Sequence, residues 1–425
     1  MWRTTHRLMT MTAVALTSAC TQTQPLPWDV ASDFHIDRVG TGYRMPVNIA
    51  FVPNPDHGPD APLYYVAELY GSIQVVTRSG AKSEFATGLL DYNPQGPISG
   101  SGEQGLAGLA VERDAANPSI YHLYVTMLWD NGAPPGASQH YPKVELITSA
   151  AGGLTMASRT VLLNMQPETQ GYSNQISSIS IGPDSKLYVH VGDGLDASTA
   201  LDRNKYRGKV LRMNKDGTPV TPDDAAGGNP FYNAADGISA TDYIYTSGHR
   251  NAFGGAWRIS DGRRYIVENG ESIDRIVRLE SGANYGWNGS DESLVPGALY
   301  IWKPAVAPVN AVIVQNSVHA NSGFPAAYHN RMYVTQSGPT YAEGPDVNGS
   351  KCITEFSDLD SVGDNGQLSV PPRVIARYTG PGHASAIALA AGPDGLYFSD
   401  FYEDTGANGP TAAGANIYRL RYRLK

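Results

Sequence analysis

Cysteine is nearly absent from this chain: there are two in 425 residues, Cys20 and Cys352. A fold stapled by several disulfides is therefore excluded. No run of 18 apolar residues occurs, so no segment is long enough to cross a bilayer as a helix. A basic surplus is missing too. The formal charge is −9, which argues against a nucleic-acid partner, whose phosphates call for a Lys/Arg-rich face. Long amphipathic helical periodicity is not found. Nor is a His-Glu-x-x-His, Gly-x-Ser-x-Gly, Walker or dinucleotide-binding glycine motif in a suitable context, so hydrolase and nicotinamide chemistry have no support.

What the chain does have is glycine (46), proline (29) and tyrosine (25), with 41% hydrophobic residues, enough for a large core full of turns. Short tyrosine-centred strands recur: LYYV around Tyr65, LYVT around Tyr124, LYVH around Tyr188, RYIV around Tyr265, MYVT around Tyr333 and LYFS around Tyr397. The steps between these tyrosines are 59, 64, 77, 68 and 64 residues. Three copies follow a turn of the Pro-Asp-Gly kind, at Gly182-Pro183-Asp184, Ser260-Asp261-Gly262 and Gly392-Pro393-Asp394-Gly395. Six units of about 65 residues, each rich in short strands, predict an all-β, six-bladed β-propeller with four-stranded antiparallel blades. A pair of β-sandwiches would not explain six evenly spaced copies. Pairing of Phe34–Val39 with the final strand, Ile417–Leu424, is expected to close the ring and remove its free edge. The loops Tyr92–Gly105, Trp129–Pro142, Asp216–Gly237 and Ser337–Ser350 are expected at the faces of the propeller, where ligands bind.

The N-terminus reads as a targeting segment. Arg3, His6 and Arg7 precede a modest apolar stretch that ends in Leu-Thr-Ser-Ala-Cys. The small residues before Cys20 resemble a bacterial lipoprotein cleavage box with Cys20 as the lipidated residue; a plain secretion signal is the other reading. The expected organisation is a signal or lipoprotein segment over residues 1–20, a short linker over 21–33, and one propeller over 34–425. The protein is expected to be exported, to the periplasm or the outer membrane or cell surface, and to meet a membrane only through a lipid anchor. With Cys20 lipidated, Cys352 is the one free thiol.

The hairpin Ser173–Gly194 combines a strand containing Ile176, Ile179 and Ile181, the Gly182–Ser185 turn, and the strand Leu187–Val191, which stops at Gly192-Asp193. With Met45–Phe51, Gly102–Ala110, Arg207–Arg212, Gly228–Phe231, Gly248-His249-Arg250-Asn251 and Gly282-Ala283-Asn284-Tyr285-Gly286-Trp287, it resembles the quinoprotein aldose dehydrogenases, the glucose/sorbosone dehydrogenase family, over nearly all of the mature chain. The resemblance implies a six-bladed propeller. It also implies pyrroloquinoline quinone (PQQ) bound in a polar funnel with Ca2+ against it, a sugar or other alcohol as substrate giving hydride from C1 to the quinone, and an external electron acceptor.

Carried onto this sequence, the resemblance gives Gln104 as a substrate contact and Arg250 and Asn251 as quinone contacts. It gives Gly270 and Glu271 as calcium ligands, through backbone carbonyls and an added carboxylate, and Lys351 as a partner for a cofactor carboxylate. A guanidinium beside the quinone would stabilise the oxyanion formed there. The family's catalytic histidine, however, falls on Asn174, whose amide has no usable basicity. The aspartate that orients that histidine is matched by Asp193, which could replace the base if it reaches the substrate. Ser385 stands where the family has an arginine, with His383 close by. His190 reads as a strand side chain, and His249 need not be catalytic. Two functions stay open at this point: a PQQ-dependent sugar dehydrogenase, and a non-catalytic carbohydrate- or ligand-binding propeller that lost its base.

Overall fold

A computed structural model describes residues 26–94, 103–130, 140–315, 319–339, 341–404, 409 and 411–423. The targeting segment and Cys20 lie outside the described residues. Those described form a six-bladed β-propeller of antiparallel sheets with only short 3-10 helical turns. Each recurrent tyrosine falls in the second strand of a blade: Pro62–Glu68, Tyr121–Trp129, Leu187–Val191, Arg263–Asn269, Met332–Gln336 and Gly395–Ser399. All six tyrosines are buried, at 4% exposure or less. A half-buried pleated surface suits aromatic and β-branched residues, and burying each such side chain stabilises by roughly 1.5–3 kcal/mol. Tyr65 also donates to the Gly153 carbonyl of the next blade at 2.7 Å, so the repeat tyrosine ties blades together as well as filling the core.

The first strands of the blades are Pro46–Phe51, Leu106–Arg113, Ile176–Ile181, Ala252–Arg258, Pro308–Ile313 and Leu389–Gly392. Each contacts the next, and the sixth contacts the first, so they ring the central axis. The ring is closed by Phe34–Tyr43, which pairs antiparallel with the last strand, Ala415–Tyr422. Within the stretch expected as a linker, Trp28–Val30 forms a fifth strand on the fifth blade by pairing with Arg373–Tyr378. The reason is apolar: Trp28 is buried against Tyr378 and Phe398, with ring centroids 5.4 and 4.9 Å away.

Candidate functional site

The hairpin turn Gly182–Ser185 forms as its sequence suggests. Ser185 N–H donates to the Gly182 carbonyl at 2.9 Å, and Asp184 accepts from Tyr188 Oη and Arg212 Nε. At its other end the hairpin opens onto the axis. Asn174 takes a left-handed backbone, φ 55°, which asparagine tolerates better than most residues. Gly192 packs so closely against it that a Cβ there would lie 2.3 Å from the Asn174 carbonyl oxygen.

A cavity of about 240 Å³ lies at this end of the axis. Its polar wall carries Glu103, Ser173, Asn174, Arg250, Asn251 and Asn269; Phe253, Ile387, Phe401 and Tyr402 are among its apolar lining. Asn174, Arg250, Asn251 and Gly270 thus meet at one pocket, whereas Gln104, Asp193, Glu271 and Lys351 do not line it.

The residue that sequence reasoning missed is Glu103, the neighbour of Gln104. Gly105 decides which of the two faces the cavity. At φ 134° it passes so close to Leu69 that a Cβ would sit 1.9 Å from the Leu69 carbonyl oxygen. The chain turns there, leaving Gln104 buried at 5% exposure, with an Nε2 unpartnered among the described residues. Glu103 is partly open to the cavity. Its carboxylate accepts from Ser173 Oγ at 2.7 Å and from the Asn174 N–H at 2.6 Å, with Asn251 Nδ2 at 3.5 Å. Burial raises its pKa above the usual glutamate value, opposed by the Ser173 and Asn174 donors and by Arg250. A carboxylate directly before the Gln-Gly pair was the available signal, and only the strained turn at Gly105 shows which side chain faces inward.

Asp193 sits behind Asn174. Its Oδ1 accepts from Asn174 Nδ2 at 2.8 Å and from the Leu195 N–H at 3.0 Å, and its Oδ2 accepts from Trp287 Nε1 at 2.8 Å. Burial raises its pKa, against those three donors and the charge of Arg250. The partnership fixes the Asn174 amide, whose Oδ1 lies 3.4 Å from Ser173 Oγ. It also explains the Gly-Ala-Asn-Tyr-Gly-Trp segment: Trp287 holds Asp193, and Tyr285 stacks on His249 at 5.0 Å.

Arg250 Nη1 donates to the carbonyls of Asn269 at 3.0 Å and Gly270 at 3.2 Å. The exposed Glu271 carboxylate lies 3.9 Å from Nη2. The neighbouring acids are already served by the backbone. Asp274 accepts from the N–H groups of Gly270, Val306 and Ala307, and Asp291 from those of Glu271 and Ser272. Lys351 donates to the Ala342 and Gly344 carbonyls of its own loop. Ser385 Oγ bonds the Ser337 carbonyl, and His383 Nδ1 the Tyr341 carbonyl. His190 is fully buried between the Ala252 carbonyl and Arg264, which fixes it as neutral, with burial pushing its pKa well down. His249 is fully buried against Thr246 and Glu268.

The chain belongs to the glucose/sorbosone dehydrogenase family: the family's sequence model matches residues 44–321. Quinoprotein glucose dehydrogenase B of Acinetobacter calcoaceticus is 29% identical over 255 residues, which span 54% of this chain and 48% of that protein. A glucose dehydrogenase-like putative oxidoreductase from Thermus thermophilus is 23% identical, covering 91% of this chain and 99% of its own with a TM-score of 0.62. The PQQ-bound aldose sugar dehydrogenase of Streptomyces coelicolor is 19% identical, covering 92% of this chain and 100% of its own with a TM-score of 0.58. At these identities the two structures establish the shared fold.

The residues around the pocket do not fit a tricarboxylate quinone seated on calcium. Arg250 is the one cation that lines the cavity among the described residues, and it already faces the carboxylates of Glu103, Asp193, Glu271, Asp274 and Asp291. The Gly270 carbonyl accepts from Arg250, and no cluster of three His, Cys, Asp or Glu side chains is arranged for a metal among the described residues.

Proposed function

We propose that this protein is a ligand-binding propeller of the glucose/sorbosone dehydrogenase family that takes a small polyol of the sugar class in the axial pocket and does not run quinone chemistry. The observation that carries this reading is Arg250, the one cation that lines the cavity among the described residues, which faces the lining carboxylate of Glu103 and, outside the lining, those of Asp193, Glu271, Asp274 and Asp291. Three further negative charges brought by a cofactor would meet repulsion in a poorly solvated site. The cavity of about 240 Å³ lies below the roughly 300–1,000 Å³ of typical drug-sized pockets. That size suits a single sugar ring better than a tricyclic cofactor with a sugar above it. Asparagine and carboxylate groups and aromatic rings in the lining suit the hydroxyls and the C–H faces of such a ring.

Family membership and the presence of Arg250 and Asn251 on the pocket wall favour a second reading, an exported PQQ-dependent sugar dehydrogenase that passes electrons to an external acceptor. Calorimetric titration of the purified protein with a panel of monosaccharides, beside a dye-reduction assay with added quinone and Ca2+, separates the two. Saturable sugar binding with dye reduction at background supports the binding reading. Sugar-dependent dye reduction sinks it.

A further inference from the structure

We infer that Asn251 is the residue that selects the ligand of the axial pocket, and that it does so by accepting a hydrogen bond from one ligand hydroxyl. The inference rests on the sugar-binding reading above and goes beyond it by naming the residue that reads the ring and the direction of the hydrogen bond. Three observations carry it.

The first is an unpaired acceptor. Asn251 lines the cavity, is 3% exposed, and has an Oδ1 without a partner among the described residues. A buried amide oxygen without a donor is costly, and a ligand that brings the donor removes that cost.

The second is the orientation of that amide. Asn251 Nδ2 lies 3.5 Å from Glu103 Oε2, which also accepts from the Asn174 N–H at 2.6 Å. The reversed amide would set Oδ1 against the carboxylate, acceptor against acceptor. The nitrogen is thus held by the protein, and the oxygen is left for whatever enters the cavity. A quinone carbonyl or a carboxylate oxygen only accepts, so neither pairs with it; a sugar hydroxyl carries the proton it needs.

The third is that the two other asparagines of the lining are set in the same way. Asn174 Nδ2 donates to Asp193 at 2.8 Å, and Asn269 Nδ2 to the Pro308 carbonyl at 2.9 Å. Each amide turns its nitrogen toward a protein acceptor, which turns its oxygen the other way. Asn251 is the one of the three whose oxygen is buried with no partner among the described residues.

The test is calorimetric titration of the full-length protein with glucose, galactose and mannose, then with the deoxy and deoxyfluoro analogues of the tightest binder at each hydroxyl carbon beyond C1. Fluorine keeps the size of a hydroxyl but has no proton to donate. At one carbon, both analogues are expected to bind about tenfold or more weakly than the parent sugar, the loss that follows when a buried acceptor goes unpaired. Asn251→Leu, close to asparagine in volume, should bind the parent sugar and those two analogues alike, with thermal unfolding as the control for folding. Should that variant not fold, Asn251→Ala is read in the same way. A fluorinated analogue that binds like the parent at every carbon overturns the inference on the unaltered protein alone, because the protein would then not be accepting from any hydroxyl. A loss at one carbon that persists in the Asn251 variant overturns it too, while leaving sugar binding intact. Failure of all three parent sugars to bind would overturn both readings.

Discussion

Asn174 is held between two acids. Its side chain donates to Asp193 and its N–H to Glu103, so it spaces two carboxylates that would otherwise repel. Asn174→Ala should lose both the donor to Asp193 and the tolerance for φ 55°, costing about 1–3 kcal/mol. Asn174→Gly keeps the backbone freedom and should cost less; urea unfolding of the two variants separates the contributions. A second residue-level prediction concerns Glu268, fully buried beside Arg275 and His249. Burial would raise its pKa, but Arg275, His249 and the Arg250 N–H outweigh burial and hold it at about 2. The stability it contributes is present above the ordinary value of 4.5 and lost as pH falls toward about 2. Glu268→Gln leaves Arg275 without a counter-charge and should cost roughly 3–5 kcal/mol, read as a lower denaturant midpoint at neutral pH. At this scale the sequence was legible where a motif names one residue, as with Asn174, Arg250 and Asn251. It was not legible at Glu103 and Gln104, because adjacent residues exchange faces with a single backbone rotation at Gly105.

At the scale of elements, the six tyrosine strands and the closing pair were readable because burial imposes the same side-chain demand on every blade. The strand Trp28–Val30 was not, since three residues carry too little periodicity. The segment after Gly395–Ser399 was also opaque. There the Tyr402 N–H bonds the Asp400 carbonyl at 2.7 Å across Phe401, whose φ is 64°. This tight, strained turn aims Phe401 and Tyr402 at the pocket. Beneath it Asp400 is fully buried. Burial pushes its pKa up to about 7, with the Asn416 donors opposing and the charge of Asp404 adding. Between 3.8 and about 7 the folded chain holds a proton that the unfolded chain has released, so this residue makes stability fall as pH rises through that window. Asp400→Asn should flatten the Tm profile there. Gly105→Ala should both lower Tm and weaken sugar binding, because a Cβ at that point collides with Leu69 and displaces Glu103.

At the scale of the whole molecule, the formal charge is −9, while the pocket lining carries one acid, Glu103, and one base, Arg250. The fold is that of a sugar-oxidising family, but charge on the axis decides what the pocket can hold, and charge does not follow from fold. Composition argued only against a nucleic-acid partner. It could not foretell the pocket, because Lys351, the cation expected there, spends its donors on the Ala342 and Gly344 carbonyls. The measurement that tests this account most directly is an equilibrium titration of the protein with PQQ and Ca2+, followed by the absorbance of the bound quinone. The account predicts no saturable one-to-one binding and no change in Tm on adding a calcium chelator. Stoichiometric, calcium-dependent uptake of the quinone would contradict it.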